Sequence, residues 1–325
     1  MTIKDISSKT GYSVATVSRV LNNSESVSPK TQQLVSEAIQ ELGYVPNTLG
    51  RNLRTLKTQI VLVILPGIDN PFFSAIVKGI ELKAEEADYT VLVCDTRHQY
   101  EKIKGYFEFI PQKKVDGIIF VSPQGHEDYF FIEGQPVVVC CESRKEIKCP
   151  QVDIDNVQAG YDATMHLIGQ NRKRIAFVGG GIESASGLKR EKGYRRAIKD
   201  AGMSIDESII MKPYYDFDGG LRAAKQLFSL ENPPDAIFTI SDAISIGVIN
   251  EAQSRGIRVP KDLMVVGFDN IDFSLMINPA LTTVEQPCIE MGSKSMELLL
   301  QVMDGKKGED ARLKHTLIAR ASTAV

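Results

Sequence analysis

The sequence predicts an all-α helix-turn-helix domain followed by an α/β core of two doubly wound parallel-sheet subdomains. The first 46 residues read as three short helices. From residue 60 to residue 325, short apolar runs rich in β-branched residues alternate with helical patterns and fall into two series. Strands that are apolar along their whole length are typical of parallel sheets covered by helices on both faces. Two such series exceed one open sheet of this size and therefore predict two similar subdomains.

The helix-turn-helix is predicted over residues 2–23. Its first helix, Ile3–Thr10, follows a Thr-x-x-Asp sequence that resembles a capping box, and Gly11 can take the positive φ that ends a helix. Ser13 is a suitable N-cap for a second helix, Val14–Leu21. This motif is the commonest means of placing an α-helix in the major groove of DNA.

The second helix is predicted to turn Val17, Val20 and Leu21 inward. The residues left on its outer face are Val14, Ala15, Ser18, Arg19 and Asn22. Small side chains with one Arg suit a DNA groove, because two Arg donors can address O6 and N7 of guanine. Taken alone, Arg19 could equally be a solvated helix residue.

A third helix is predicted to begin at Pro29, after the N-cap Ser28, and to end before Gly43. Its predicted apolar face contains Leu34, Val35, Ala38, Ile39 and Leu42. After it, residues 47–54 are too short and polar to be a stable helix alone, since isolated helices shorter than ~12–15 residues are marginal in water. We expect a segment that is disordered off DNA; a plain flexible linker is the alternative.

The composition is consistent with a small DNA-binding domain joined to a larger ligand-binding core. The 325 residues are 43% hydrophobic and carry a net charge of −3, but residues 1–60 hold seven basic against four acidic side chains. Residues 1–60 therefore have a net charge of +3 and residues 61–325 a net charge of −6. A charge of +3 alone does not indicate DNA binding. Five cysteines without a CxxC pair favour reduced thiols in a cytosol. Without a signal-like start or a membrane-length apolar run, we expect a soluble cytoplasmic protein.

The core is predicted to alternate strands with helices. The predicted strands are 60–65, 90–94, 117–121, 137–141, 175–178, 236–240 and 264–268. The predicted helices are 73–87, 101–112, 157–169, 187–201, 219–228, 243–255 and 289–303. Ligands of such sheets bind outside the carboxyl ends of the strands, so a cleft between two facing sheets is the expected pocket.

The segments VATVSRVLN, VSPKTQQLVSEAIQELGYVPN and LGRNLR closely resemble the start of the lactose-repressor (LacI/GalR) family of bacterial transcription regulators. The resemblance implies base contacts from Val14, Ala15 and Arg19, phosphate contacts from polar neighbours, and a hinge helix whose Leu53 wedges into the minor groove. Gly50 and Asn52 stand where the family usually has Ala and Ser, which predicts weaker hinge folding. The DNA-contacting set is therefore Ser13, Val14, Ala15, Thr16, Ser18, Arg19, Asn22, Leu53 and Arg54.

The resemblance continues through DNPFFSAIVKGIE, KKVDGIIF, KREKGYRRAI, the segment from AIFTISD to GFDNI, and NPALTTVEQP, which are similar to the family's effector-binding core. That core also resembles periplasmic sugar-binding proteins. The implied organisation is a DNA-binding domain (1–46), a hinge (47–58) and a dimerising core (59–325). Subdomain one then covers about 59–157 and 289–317, and subdomain two about 158–288 and 318–325, with three chain crossings between them.

Candidate ligand contacts follow from chemistry and from the resemblance. The Asp269 carboxylate at a strand end can accept bonds from a diol, and the Arg190 guanidinium can donate to the same ligand. Asp269 could instead cap the next turn, Arg190 could pair with a surface Glu, and Phe72-Phe73 could be core. The predicted effector-binding set is Phe72, Phe73, Ser122, Glu142, Arg190, Tyr215, Asp242 and Asp269.

One departure from the family pattern concerns the strand before Cys140-Cys141-Glu142. An Asp often faces the effector there, so either Glu142 reaches the pocket from one position later or a polar contact is missing. The segments DNPFFSAIVKGIE, GRN and GFDNID most resemble the cytidine-repressor branch of the family, which suggests a nucleoside as effector.

Enzyme interpretations have little support. The four His residues are scattered without metal-ligand spacing, and the AISIG segment, residues 243–247, lies in a helical pattern where a nucleophile elbow needs a strand-to-helix turn. We expect no cofactor and no metal. The sequence favours a homodimeric repressor of near-palindromic operator DNA, controlled by a sugar or nucleoside and not bound to membranes. The alternatives are a solute-binding protein and a sugar-processing enzyme on the same core.

Overall fold

The computed structural model divides the chain into two compact units, residues 1–57 and residues 58–325. Residues described by the structure are 1–21, 26–44, 57–97, 99–123, 132–179, 184–212 and 216–324. Asn22, the predicted hinge residues up to 56, and Tyr215 lie outside these ranges. No helix within them is both long enough and apolar enough to span a bilayer.

The first unit contains three helices among its described residues, and all three begin and end as predicted. They are α1 (Ile3–Thr10), α2 (Val14–Leu21) and α3 (Pro29–Leu42). Asp5 accepts the backbone N–H of Thr2 at 2.7 Å, and Gly11 ends α1 with a φ of 74°. Ser28 caps α3 by accepting the backbone N–H of Thr31.

A small core joins these helices through side chains spaced three and four residues apart. Its buried members are Ile6, Val17, Val20, Val35 and Ala38. The inward face predicted for α2 is therefore confirmed for Val17 and Val20, while Leu21 is half-buried. Leu34 was wrongly placed on the apolar face of α3, because it is 43% exposed. It lies roughly a quarter turn from the centre of the stripe formed by Val35, Ala38 and their neighbours.

The first sheet of the second unit is parallel throughout. Its strands and helices along the chain are β1 (Ile60–Leu65), α4 (Pro71–Glu85), β2 (Thr90–Asp95), α5 (Tyr100–Phe107), β3 (Gly117–Val121), β4 (Val137–Cys140), β5 (Gln151–Ile154) and, near the end, β11 (Ala311–Leu313). The order of the six described strands is β11-β5-β4-β3-β1-β2. Its central strands β3 and β4 are buried along their whole length, as expected where both faces are covered.

The second sheet repeats the plan but ends in an antiparallel edge strand. The remaining elements of the unit, of which all but α11 belong to the second sheet and its helices, are α6 (Asn156–Gly169), β6 (Ile175–Val178), α7 (Ala185–Asp200), β7 (Ile210–Met211), α8 (Phe217–Leu227), β8 (Ala236–Thr239), α9 (Asp242–Ser254), β9 (Met264–Asp269), α10 (Phe273–Met276), β10 (Thr282–Glu285), α11 (Cys288–Met303) and β12 (Thr316–Ile318). The six described strands are ordered β12-β10-β9-β8-β6-β7, and only β12 runs antiparallel to its neighbour among their pairings. The expectation of purely parallel sheets was wrong for this edge.

The chain passes between the two sheets three times: after β5, between β10 and α11, and between β11 and β12. The helix α11 returns to the first sheet and packs on α4, as the resemblance implied. Two glycines allow this contact, because a Cβ on Gly79 would lie 2.1 Å from the carbonyl oxygen of Ile289, and one on Gly292 would lie 2.1 Å from that of Ile76.

Most predicted core elements have boundaries that differ from the observed ones by one or two residues, and the differences at two boundaries have identifiable causes. The helix predicted over 101–112 ends at Phe107. The next residues form tighter turns, with Phe109 donating to the carbonyl of Tyr106 and Ile110 to that of Phe107, and Pro111 then prevents a further helical turn. The strand predicted over 137–141 ends at Cys140, since Cys141 has a φ of 79° and leaves the extended conformation. This turn redirects the chain just before Glu142.

Candidate functional site

The exposed face of α2 carries the residues predicted to touch DNA. Ser13, Val14, Ala15 and Arg19 are exposed, whereas Thr16 and Ser18 are half-buried. Ser13 Oγ accepts the backbone N–H of Thr16 at 3.2 Å, which satisfies an early donor of the helix. The outer surface of α2 is thus composed of small side chains and one Arg. Asn22, Leu53 and Arg54 lie outside the described residues.

A cavity of about 1280 Å³ lies in the second unit, beyond the carboxyl ends of strands from both sheets. Phe72, Phe73, Ser122 and Glu142 line it from the side of the first sheet. Ser184, Ser186, Arg190, Ile240 and Asp269 line it from the side of the second sheet. The structure therefore brings together six of the eight predicted effector contacts.

The two aromatic residues at the start of α4 serve both the core and the cavity. Phe72 is 7% exposed and belongs to the buried core, and its ring meets that of Phe73 edge to face with centroids 5.3 Å apart. Asn70 caps the helix by accepting the backbone N–H of Phe72. Phe72 is therefore a core residue, as the alternative interpretation predicted, and it also lines the cavity.

Asp269 ends β9 and lies at the base of the cavity with a φ of 112°. Gln286 Nε2 donates to its Oδ1 at 2.8 Å. Burial raises the pKa of Asp269 to about 7, while the charge of Arg190 opposes that rise. The next turn is not capped by Asp269, because the backbone N–H of Ile271 donates to a different carboxylate.

Arg190 is buried in α7 rather than paired with a surface Glu. Its Nε donates to Asn156 Oδ1 at 2.8 Å, and one terminal nitrogen donates to the carbonyl of Ile240 at 2.6 Å. Its guanidinium carbon lies 3.5 Å from the centroid of the Phe268 ring. These contacts fix the side chain while it lines the cavity.

Asp242, the third predicted carboxylate, does not line the cavity. It is fully buried at the start of α9, where its two oxygens accept Thr283 Oγ1 at 2.6 Å and the backbone N–H of Ile271 at 2.9 Å. Burial and the neighbouring charge of Asp269 raise its pKa to about 8. Asp242 was therefore wrongly included in the predicted effector-binding set. Its two oxygens bond Ile271 and Thr283 and so hold the turn after β9 in place.

Glu142 reaches the cavity, which answers the question left open by the sequence. It is 2% exposed, and its Oε1 accepts Ser184 Oγ at 2.9 Å and Ser186 Oγ at 2.6 Å. Its Oε2 accepts the backbone N–H of Ser186 at 2.9 Å. Burial raises the pKa of Glu142, and the bonds from Ser186 and Ser184 oppose the rise. The carboxylate thus joins the loop after β4 to the first turn of α7.

A second contact joins the same two elements. Lys189 Nζ donates to the carbonyl and the hydroxyl of Ser143, both at 2.7 Å, and lies 3.4 Å from an oxygen of Asp153. Sequence reasoning missed Ser184, Ser186, Asn156 and Gln286. A signal existed only for Ser184, whose position before α7 is that of an N-cap.

The AISIG segment does not form a nucleophile elbow. Ser245 is fully buried within α9 and lies 2.6 Å from Thr239 Oγ1, so its hydroxyl does not face the cavity. An elbow would expose the hydroxyl at a strand-to-helix turn.

Known proteins share both parts of this architecture. Residues 2–47 match the family described as bacterial regulatory proteins, lacI family, and residues 164–323 match a periplasmic binding protein-like domain. The HTH-type transcriptional repressor CytR of Escherichia coli (strain K12) is 38% identical over 99% of this chain and 96% of its own length. The chain belongs to the LacI family.

Solved structures of this family agree in fold. A complex of the transcriptional regulator CelR with cellobiose is 29% identical, covers 99% of both chains and has a TM-score of 0.77. The lac repressor dimer bound to operator and an anti-inducer is 24% identical, with a TM-score of 0.90 over 100% of this chain and 99% of that one. This member of the LacI family is a ligand-responsive DNA-binding transcriptional regulator and not an enzyme.

Proposed function

We propose that this LacI-family regulator is a homodimeric repressor that reads a near-palindromic operator through α2. Val14, Ala15 and Arg19 contact base edges, and Ser13, Thr16 and Ser18 approach the phosphates. A single helix contributes few contacts, so two copies at a fixed spacing provide the affinity and the two-fold symmetry. We assign residues 1–46 to DNA binding, 47–58 to the hinge that contains Leu53 and Arg54, and 59–325 to the core.

The second copy is proposed to cover the apolar surface of α10. Within this four-residue helix, Leu275 is 61% exposed and Met276 is 73% exposed. Exposed apolar patches of this kind mark interaction sites. Phe273 of the same helix lines the cavity, so a dimer contact here would be made by the helix that also borders the ligand site.

The proposed effector is an uncharged polyol or nucleoside bound in the cavity. The observation that carries this proposal is the pairing of the Asp269 carboxylate with the fixed Arg190 guanidinium at a cavity wall that also presents Phe72 and Phe73. A carboxylate accepts hydroxyl bonds, a guanidinium donates to ring oxygens or carbonyls, and aromatic faces cover a sugar or base. The similarity to CelR, whose solved structure is a complex with cellobiose, supports a sugar-like ligand.

The experiment is a thermal-shift screen of the full chain against sugars and nucleosides, followed by operator binding with the ligand that stabilises it. Asp269→Ala is expected to abolish the effector response and to keep operator affinity, because α2 lies in a different compact unit from Asp269. Unchanged effector affinity in calorimetry, or an equal loss of operator binding, would place the ligand elsewhere.

The DNA side is tested with Arg19→Ala. This variant should lose roughly 1–3 kcal/mol of discrimination at one base pair in each half-site. A gel-shift series in which it keeps the full base preference of the wild type would contradict the assignment of α2.

A further inference from the structure

Glu142 occupies a position where an external anion would bind. The backbone N–H of Ser186 and the hydroxyls of Ser184 and Ser186 all point at its carboxylate, at 2.6 to 2.9 Å. Ser184 also caps α7, a helix of 16 residues whose amino end carries partial positive charge. Amide and hydroxyl donors at a helix start are the usual ligands of a phosphate or carboxylate. In this chain the loop after β4 supplies that anion, which is the carboxylate of Glu142.

The cationic side chains around the cavity are also accompanied by acids. Lys212 Nζ lies 3.5 Å from Glu191, and Arg222 lies 3.7 Å from Asp216. Arg190 lines the same cavity as Asp269, and its charge opposes the rise in the pKa of that carboxylate. An incoming phosphate would therefore compete with protein carboxylates for every cation that lines the described cavity.

We infer that Glu142 sets the charge class of the effector: its carboxylate fills the anion position of the cavity, so the site admits uncharged ligands and excludes phosphorylated ones. The inference rests on the proposed function for the existence of an effector and adds the residue that selects it. A phosphate placed beside Glu142 would meet a buried like charge. If it displaced that carboxylate, Glu142 would lose three hydrogen bonds while still largely removed from water, which is costly.

The first test uses the full chain and inorganic phosphate, with chloride at matched ionic strength as the reference. Glu142→Ala empties the position and is expected to bind phosphate at least about tenfold more tightly than the wild type in calorimetry, with a phosphate-dependent rise in melting temperature. Glu146→Ala is the matched control, because Glu146 is an exposed acid of the same loop. It should behave like the wild type.

Two further variants test whether phosphate binds at the position of the Glu142 carboxylate and provide a measurement if Glu142→Ala does not fold. Ser186→Ala added to Glu142→Ala should remove the gained phosphate binding, since Ser186 supplies a hydroxyl donor. Glu142→Gln removes the negative charge, and its amide NH2 cannot accept the backbone N–H of Ser186, so that donor is freed. If Glu142→Ala is unfolded, a smaller gain in phosphate binding is expected from Glu142→Gln.

The inference is overturned if the folded Glu142 variants bind phosphate no better than the wild type, or if Glu146→Ala gains as much phosphate binding as Glu142→Ala. Matched ligands provide the direct check: cytidine against cytidine 5′-monophosphate, and ribose against ribose 5-phosphate. Stabilisation of the wild type by either phosphorylated compound would also overturn it. Neither phosphate experiment requires DNA or a known effector, so failure of the proposed repressor function would appear separately, as operator binding that no ligand changes.

Discussion

Two buried carboxylates near the cavity differ in what they can still bind. Asp242 uses both oxygens on Thr283 and Ile271, whereas Asp269 receives one side-chain bond, from Gln286, and borders the cavity. The sequence places both residues at the ends of apolar strands, where either could face a ligand. Their separation into a structural and a ligand-facing group depends on which one lies beneath the turn after β9, and only the packed structure determines that.

Protonation of Asp242 makes the stability of the core depend on pH. Its pKa is about 8 in the folded chain against an ordinary value of 3.8, so the folded state binds the proton more tightly. The free energy of unfolding should therefore fall as pH rises from about 4 to 8, by at most about 1.4 kcal/mol per pH unit from this group. Asp269, with a pKa of about 7, acts in the same direction.

Asp242→Asn should flatten this decline, because the amide can donate to Thr283 and still accept from Ile271. The measurement is urea unfolding of wild type and variant at several pH values between 5 and 8. Asp262→Asn is the control, since Asp262 has a pKa near 2 and does not titrate in that range. Equal pH slopes for Asp242→Asn and the wild type would mean that Asp242 is ionised in the folded chain.

At the scale of elements, the helix pair α4 and α11 depends on glycine. A Cβ on Gly292 would lie 2.1 Å from the carbonyl oxygen of Ile76 and 2.9 Å from the backbone nitrogen of Ile80. Neither atom belongs to a side chain that can move aside, so Gly292→Ala must separate the two helices. We expect it to destabilise the core by about 1–3 kcal/mol, measured as a lower urea midpoint.

Gly105→Ala in α5 is the matched substitution with the opposite expected sign. A Cβ there meets nothing within 4 Å, and Ala is favoured over Gly in a helix by roughly 0.5–1 kcal/mol. Equal midpoints for Gly292→Ala and the wild type would show that the helices part without cost.

Elements with strong apolar patterns could be predicted from the sequence, and short polar ones could not. The strand β3 is a five-residue run of Gly, Ile and Val around one Phe, and its predicted limits are exact. The strands β5 (Gln151–Ile154) and β10 (Thr282–Glu285) were not predicted, because Gln, Asp, Thr and Glu interrupt their apolar pattern, although both strands are largely buried. Their polar side chains are satisfied by bonds across the fold, which no local pattern reveals.

At the scale of the whole core, the two sheets are joined across the cavity by contacts from the loop after β4 to α7. Lys189 is the exposed member of these contacts, with bonds to Ser143 and an ion pair with Asp153. A solvent-exposed ion pair contributes about 0.2–1 kcal/mol, and this pair should contribute at least as much because Asp153 is buried. We define the arrangement with these contacts as a closed state and propose an open state in which the loop after β4 separates from α7. Loss of the Lys189 pair should then favour the open state by roughly 1.5- to 5-fold or more.

Lys189→Ala is expected to raise amide hydrogen exchange in the first turn of α7 and in residues 141–144, measured on the full chain without effector. Lys192→Ala, an exposed lysine on the same helix, should leave that exchange unchanged. Because a ligand changes operator affinity only through its different affinities for the two states, Lys189→Ala should also raise the effector concentration needed for half response, by at most that factor. Faster exchange with an unaltered effector response would mean that opening between the sheets is not the motion that controls DNA binding.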